Sequence, residues 1–266
     1  MDFVRLTDAQ RREFDTKGFL LVRQVLDAAL VGQLVADADR LMDAHGPGHL
    51  RKGVVQAPSF APLLSHPATV PLVVQLLGPN IHLHTATITY KAPQPDAAEA
   101  RGWHRDIGIS DDLGHQNLPR VGLKVCYCLT DFLEPSSGMT LMAPGSHLLQ
   151  TPLPVKKGAL DPEEVFEARL QAGDALFFEN RIFHSSAPNR SQRTSKVVFY
   201  GYSYRWMKVE KNLFPPDPNL LEAAENEVDR QLLGGSIAVD TPPEALKNWA
   251  AEHGLPAEPP PWVMEV

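Results

Sequence analysis

A β-barrel or β-sandwich carrying helices at both ends is the fold class this 266-residue sequence predicts. Three observations lead there. The first quarter of the chain reads as mostly helical. From residue 81 to 206 the chain turns into short stretches rich in Val, Tyr, Phe and Thr, bounded by Gly, Pro or Asn. Strands do not alternate with helices, as a doubly wound parallel sheet would require. The chain is read as one domain over residues 1–266, with N-terminal helices in 7–78, a barrel core in about 81–206 and a helical extension in 207–266.

Each element has its own signal. Thr7-Asp8-Ala9-Gln10 has the form of a capping box, so a helix starts there. Residues 19–25 read as a strand. Asp27 then caps a helix whose apolar positions (Leu30, Val31, Leu34, Val35, Ala38, Leu41, Met42) share one face. Residues 45–52 read as loop, and 67–77 as a short helix with Pro in its first turn. Strands follow at 81–91, 121–131, 139–142, 174–178 and 196–206. Helices are expected again at 218–233 and 243–253, before an irregular end containing Pro256, Pro259, Pro260 and Pro261.

Composition narrows the function. Apolar residues make up 43% and charged residues 21%, ordinary values that argue against disorder. A net charge of −7 gives no electrostatic reason to approach nucleic acid or an anionic membrane, so a small-molecule partner is expected. No secretory layout opens the sequence, and no run approaches the roughly 18 apolar residues of a membrane span, which points to the cytoplasm. Cys126 and Cys128 lie two apart in an apolar run, on one strand face, and read as buried free thiols suited to a reducing compartment. Neither a Gly-x-Ser-x-Gly elbow nor a Gly-x-Gly-x-x-Gly loop is present, so serine hydrolysis and nicotinamide binding lack support.

The chemistry concentrates at Trp103-His104-Arg105-Asp106. On an extended segment His104 and Asp106 point the same way and can grip one ion. Non-haem Fe(II) sites use two histidines and one carboxylate, leaving positions open for other ligands, so a second histidine is required. His184 is the candidate, because Gly173-Asp174-Ala175-Leu176-Phe177-Phe178 reads as a turn into a buried strand and Phe183-His184 follows on its continuation or neighbour. A His-x-Asp pair alone recurs by chance. What singles this one out is the order of its companions: Leu129-Thr130-Asp131, Pro144-Gly145-Ser146-His147, Gly173-Asp174, then His184 with Asn189 and Ser191. His147 reads as a turn residue, His82 and His84 as alternating strand residues, and Trp103 and Trp206 as packing residues.

That order resembles the phytanoyl-CoA dioxygenase family of Fe(II)/2-oxoglutarate-dependent oxygenases, over about residues 14–206. Its most specific parts are Trp103 to Asp106, Ala143-Pro144-Gly145-Ser146-His147, and Gly173 to Phe178 through His184. The resemblance implies a double-stranded β-helix (a jelly-roll, cupin-like barrel) with Fe(II) held by His104, Asp106 and His184. It implies 2-oxoglutarate as a chelating co-substrate, consumed with O2 to give succinate and CO2 while a small organic substrate is hydroxylated or otherwise oxidised. Asp106 favours oxygen transfer, since halogenating relatives lack this carboxylate.

One position departs from the family. An arginine eleven residues after the distal histidine usually clamps the far carboxylate of 2-oxoglutarate, and this chain has Ser195 there. Arg193, of the same strand parity, is the expected replacement, with Ser195 donating a hydrogen bond to the same carboxylate; otherwise a base from another strand, such as Lys124, takes the role. A cupin-like metalloenzyme that does not use 2-oxoglutarate, and a non-catalytic binding module on the same barrel, are the competing functions. The second conflicts with the cost of burying a carboxylate beside two imidazoles without a metal. Substrate contacts are expected from 107–119, from 48–59 and from the segment after 206. Substrate identity and oligomeric state are not legible.

Overall fold

The computed structural model describes residues 4–46, 48–50, 58–207, 221–222, 224, 226–235 and 244–257. Helix α1 (Asp8–Lys17) begins at the expected capping box: the Thr7 hydroxyl accepts from Gln10 N at 3.1 Å, and Gln10 Oε1 accepts from Thr7 N at 2.9 Å. Strand β1 (Phe19–Val22) stops short of residue 25 because the Asp174 carboxylate takes Arg23 and the amide of Gln24, turning the chain out at a Gln24 φ of +51°. Helix α2 (Ala28–His45), capped by Asp27, buries Val31, Leu34, Ala38 and Met42 as the periodicity required. A short strand, β2 (Gly48–Leu50), occupies part of the stretch read as loop; it pairs with residues 88–90, a partner that no local signal announces. Arg51 and Lys52, read as part of that loop, lie outside the described residues.

Helix α3 (Val70–Leu77) carries Pro71 in its first turn. The strands β3 (Ile81–Lys91), β4 (Gly122–Cys128), β5 (Thr140–Met142), β6 (Phe166–Glu167), β7 (Ala175–Glu179), β8 (His184–Ser186) and β9 (Ser195–Tyr204) follow, with a one-turn helix α4 (Ile109–Leu113) between β3 and β4. Helices α5 (Glu227–Leu232) and α6 (Glu244–Glu252) fall within the two C-terminal segments read as helical. Residues 218–220 and 243, and the end with Pro259 to Pro261, lie outside the described residues.

The strands form two antiparallel sheets. The larger runs β1-β7-β4-β9-β3-β2 and the smaller β6-β5-β8, the interleaved order of a double-stranded β-helix. Period-two alternation gives the large sheet two different faces. On one, Ala86, Ile88, Val125, Tyr127, Val198, Tyr200 and Tyr202 pack under α2 and α3 in the main apolar core. Tyr200 and Tyr202 donate their hydroxyls to the carbonyls of Phe60 and Leu64 at 2.8 and 2.9 Å, pinning the covering segment down. On the other face Cys126, Cys128, Leu176, Phe178 and Val197 meet Met139 and Met142 between the sheets. Both cysteines are free and buried. No helix among the described residues is long and apolar enough to cross a membrane.

Candidate metal centre

Two backbone bonds bring the first histidine to the second. His104 N donates to His184 O at 3.1 Å and His184 N donates to His104 O at 3.0 Å, so the segment bearing His104 lies antiparallel beside β8. The imidazole centroids come within 4.3 Å. Asp106 is held two residues on by its amide, which donates to Asn180 O at 2.9 Å. The alternation expected from His-x-Asp then places its carboxylate on the imidazoles' side. One ligand atom from each of His104, Asp106 and His184 lies within 4.8 Å of the others, the single such group found among the described residues.

The surroundings fit a cation. His104 Nδ1 donates to Gly102 O at 2.7 Å and His184 Nδ1 to Ile182 O at 3.1 Å, which leaves each Nε2 lone pair to face inward. Asp106 Oδ2 is buried without a hydrogen-bond partner and lies 3.7 Å from His184 Nε2. Its other oxygen accepts from Lys124 Nζ at 2.6 Å. Burial alone would raise the Asp106 carboxyl, but Lys124 and the imidazoles outweigh it and hold it at about 2. Burial pushes His184 down to about 4 despite the carboxylate. Both groups are thus in the deprotonated form that a metal requires. An anion flanked by two imidazoles, with one oxygen unpaired, is the donor set of a 2-His-1-carboxylate site.

The supporting residues include several that sequence reasoning passed over. Arg105 points away from the triad and donates to the carbonyls of Arg181, Ser146 and Leu149, tying the Pro144-Gly145-Ser146-His147 turn behind the metal segment. Ser146 Oγ accepts from Phe183 N at 2.8 Å, steadying the residue before His184. His147 packs in that turn, hydrogen-bonded to Asp15 O at 3.0 Å. Gly201, opposite Lys124 on β9, leaves the lysine stem its path: a Cβ there would lie 2.3 Å from Thr85 and 3.3 Å from Lys124.

A cavity of about 720 Å³ opens on His104 and Asp106, lined also by Thr85, Thr87, Trp103 and Phe183. Trp103 lines this cavity as well, and its indole donates to Leu160 O at 3.1 Å. Ile107, Gly108, Ser110, Asp111 and His115 line it from the expected 107–119 loop. Within the other two expected regions, 51–57 and 208–220 lie outside the described residues. His82 and His84 are buried, both beside the Ser203 hydroxyl at 3.2 Å.

Arg193 is not brought to the triad. It precedes the first residue of β9, so strand parity does not govern it; its side chain is 66% exposed and its guanidinium lies 3.6 Å from Asp131. Ser195, the first residue of β9, is buried and faces inward beside Gly138. Lys124 sits at the metal end, on Asp106.

A double-stranded β-helix with a His-x-Asp…His set opening on a cavity defines the class of cupin-like metal-dependent oxygenases. Within it, the chain belongs to the phytanoyl-CoA dioxygenase (PhyH) family, whose profile matches residues 14–197. Among curated relatives, "Dioxygenase olcK" of Penicillium canescens is 23% identical over 262 residues, 90% of this chain and 80% of the relative. "Dioxygenase trt7" of Aspergillus terreus is 26% identical over 151 residues, 56% of this chain; the match spans about half the length of that relative, 51%. Among solved structures, HygX from Streptomyces hygroscopicus with nickel and 2-oxoglutarate bound superimposes with a TM-score of 0.64 at 18% identity, covering 81% of this chain and 94% of HygX. The epimerase SnoN from nogalamycin biosynthesis, in complex with Fe3+ and alpha ketoglutarate, gives 0.59 at 21%, covering 74% and 82%. Structural neighbours of this chain thus carry iron and 2-oxoglutarate.

Proposed function

We propose that this protein is an Fe(II)- and 2-oxoglutarate-dependent dioxygenase that hydroxylates a small organic substrate, with release of succinate and CO2. The observation that carries the reading is the triad itself: two imidazoles held by their Nδ1 atoms to backbone carbonyls, and a carboxylate oxygen buried without a partner between them. His104, Asp106 and His184 would hold the iron. Bound there, iron and 2-oxoglutarate supply the oxidising power for attack on substrate. The chain's own residues do the rest. Lys124 holds Asp106 Oδ1, which leaves Oδ2 to the metal. Trp103 and Phe183 offer apolar walls for a substrate, and Thr85, Thr87 and Ser110 offer hydroxyls.

The reading takes residues 1–266 as one domain. Its support is that Gln231 of α5 donates to the carbonyls of Pro79 and Ile81 at 3.0 Å, while Leu232 and Leu246 join the main core. Two buried free thiols suit a cytoplasmic enzyme. Epimerisation is the second reading, on the likeness of this fold to that of the epimerase SnoN.

The test is anaerobic titration of the Fe(II)-loaded protein with 2-oxoglutarate, followed by O2. Saturable binding, with labelled CO2 and succinate formed one to one on exposure to O2 and binding competed by N-oxalylglycine, is the expected result. If Fe(II) binds but labelled 2-oxoglutarate neither binds nor loses CO2, the activity is that of a cupin-like enzyme of another kind.

A further inference from the structure

The missing arginine leaves a question of charge. A diacid that chelates a metal at one end brings a second carboxylate into the barrel, and an unpaired buried charge is costly. Arg193 is outside, and Lys124 is already engaged with Asp106 at the metal end. The register of the large sheet indicates another cation. Lys91, the last residue of β3, is the direct ladder partner of Ser195, the first residue of β9, so the two side chains stand together on the inner face. They converge on one point: a Cβ on Gly138 would lie 2.5 Å from Ser195 Oγ and 3.3 Å from Lys91 Cδ.

From there the Lys91 ammonium crosses to the smaller sheet and donates to the Ser186 hydroxyl and the Ala187 carbonyl, with Gly138 O at 3.4 Å. Ser186 follows His184 by two residues on β8 and so shares its strand face, about 6.6 Å along the strand, at the exposed end of β8, whereas His184 is buried. That separation is comparable to the reach of a five-carbon 2-oxo diacid from its chelating end to its far carboxylate. On β3 the residues of Lys91's parity lead back to the metal: Thr85 and Thr87 line the cavity beside Asp106. Asn189 fixes the root of the lysine by donating from Nδ2 to Lys91 O at 2.8 Å.

We propose that Lys91 is the residue that binds the far carboxylate of 2-oxoglutarate, its ammonium standing where the family's arginine would reach from position 195. The proposal rests on the co-substrate reading given above. Two features support it. The ammonium meets only neutral acceptors among the described residues, so an incoming carboxylate is its first opposite charge. Burial pushes Lys91 down to about 8, a penalty that such a carboxylate would relieve. Ser195 then has a reason: an arginine there would crowd Lys91 and place two cations side by side.

The experiment is calorimetric titration of anaerobic Fe(II)-loaded protein with 2-oxoglutarate and with 2-oxopentanoate, which chelates alike but lacks the far carboxylate. The native protein is expected to prefer the diacid. Lys91→Ala should weaken 2-oxoglutarate binding at least about tenfold, or about 1.4 kcal/mol, while leaving 2-oxopentanoate and Fe(II) affinity unchanged. Adding Ser195→Arg to Lys91→Ala should restore the preference by returning a cation across the ladder, a rescue that a merely structural lysine would not permit. Lys91→Met, with a stem of similar length, serves if Lys91→Ala does not fold. Undiminished preference for the diacid in Lys91→Ala or Lys91→Met, or its loss in Lys124→Met instead, overturns the assignment while leaving the co-substrate reading intact. A native protein that binds Fe(II) but neither oxo acid overturns both.

Discussion

On the helix-covered face of the large sheet stand Ile88, Val125, Val198 and Tyr200; an odd number of residues away along the same strands, on the inner face, stand Thr87, Lys124, Lys91, Ser195 and Phe199. The first set is dry and apolar, apart from tyrosine hydroxyls donated to carbonyls. The second carries Thr87 and Lys124 beside the cavity at His104 and Asp106, while Phe178 on the same face lies 4.9 Å from the His184 ring. The difference teaches how the fold separates two tasks. Alternate residues of one strand serve cohesion and chemistry, so changes on one face should register in stability and changes on the other in ligand binding.

The largest effect expected is on the inner face. His184→Ala should abolish turnover and weaken Fe(II) binding beyond the roughly 10- to 100-fold that loss of an outer-shell partner costs, with little change in the apo protein's Tm. Metal loading and CO2 release check this; normal activity would remove His184 from the site. The complementary substitution is Ile88→Ala on the covered face, where the side chain is fully buried. It should cost about 2–5 kcal/mol in urea unfolding, with Fe(II) affinity of the folded protein retained. If metal affinity fell in step, the two faces would not be separable.

A subtler difference is in pH response. Burial, aided by the neighbouring His84 and Arg205, holds His82 at about 4 against an ordinary 6.5. As pH falls below 6.5 the unfolded chain takes a proton that the folded protein refuses, so stability is full above 6.5 and is lost progressively toward 4. His82→Gln should flatten part of that slope, as urea midpoints at about pH 7 and about pH 5 would show. The smallest effect belongs to Arg193→Ala. An exposed pair with Asp131 is worth about 0–1 kcal/mol, so Tm and 2-oxoglutarate affinity should hardly move; a tenfold loss of affinity would return the clamp to Arg193.

What the sequence determined by itself was whatever depends on near neighbours. The Thr7 capping box, the apolar stripe of α2 and the full span of β3 follow from spacings of two to four residues, and so does the common direction of His104 and Asp106. The order of segments was enough to single out His184. Tertiary structure alone decided the rest, because it concerns pairings between distant residues. The strands β2, β6 and β8 are two or three residues long and exist only through their ladder partners. Parity arguments presuppose a strand, and β9 begins two residues too late to include Arg193. Lys91 and Ser195 are 104 residues apart in the chain. Only the register that aligns β3 with β9 sets them side by side, and register is fixed by the burial of a whole sheet face, not by any local spacing.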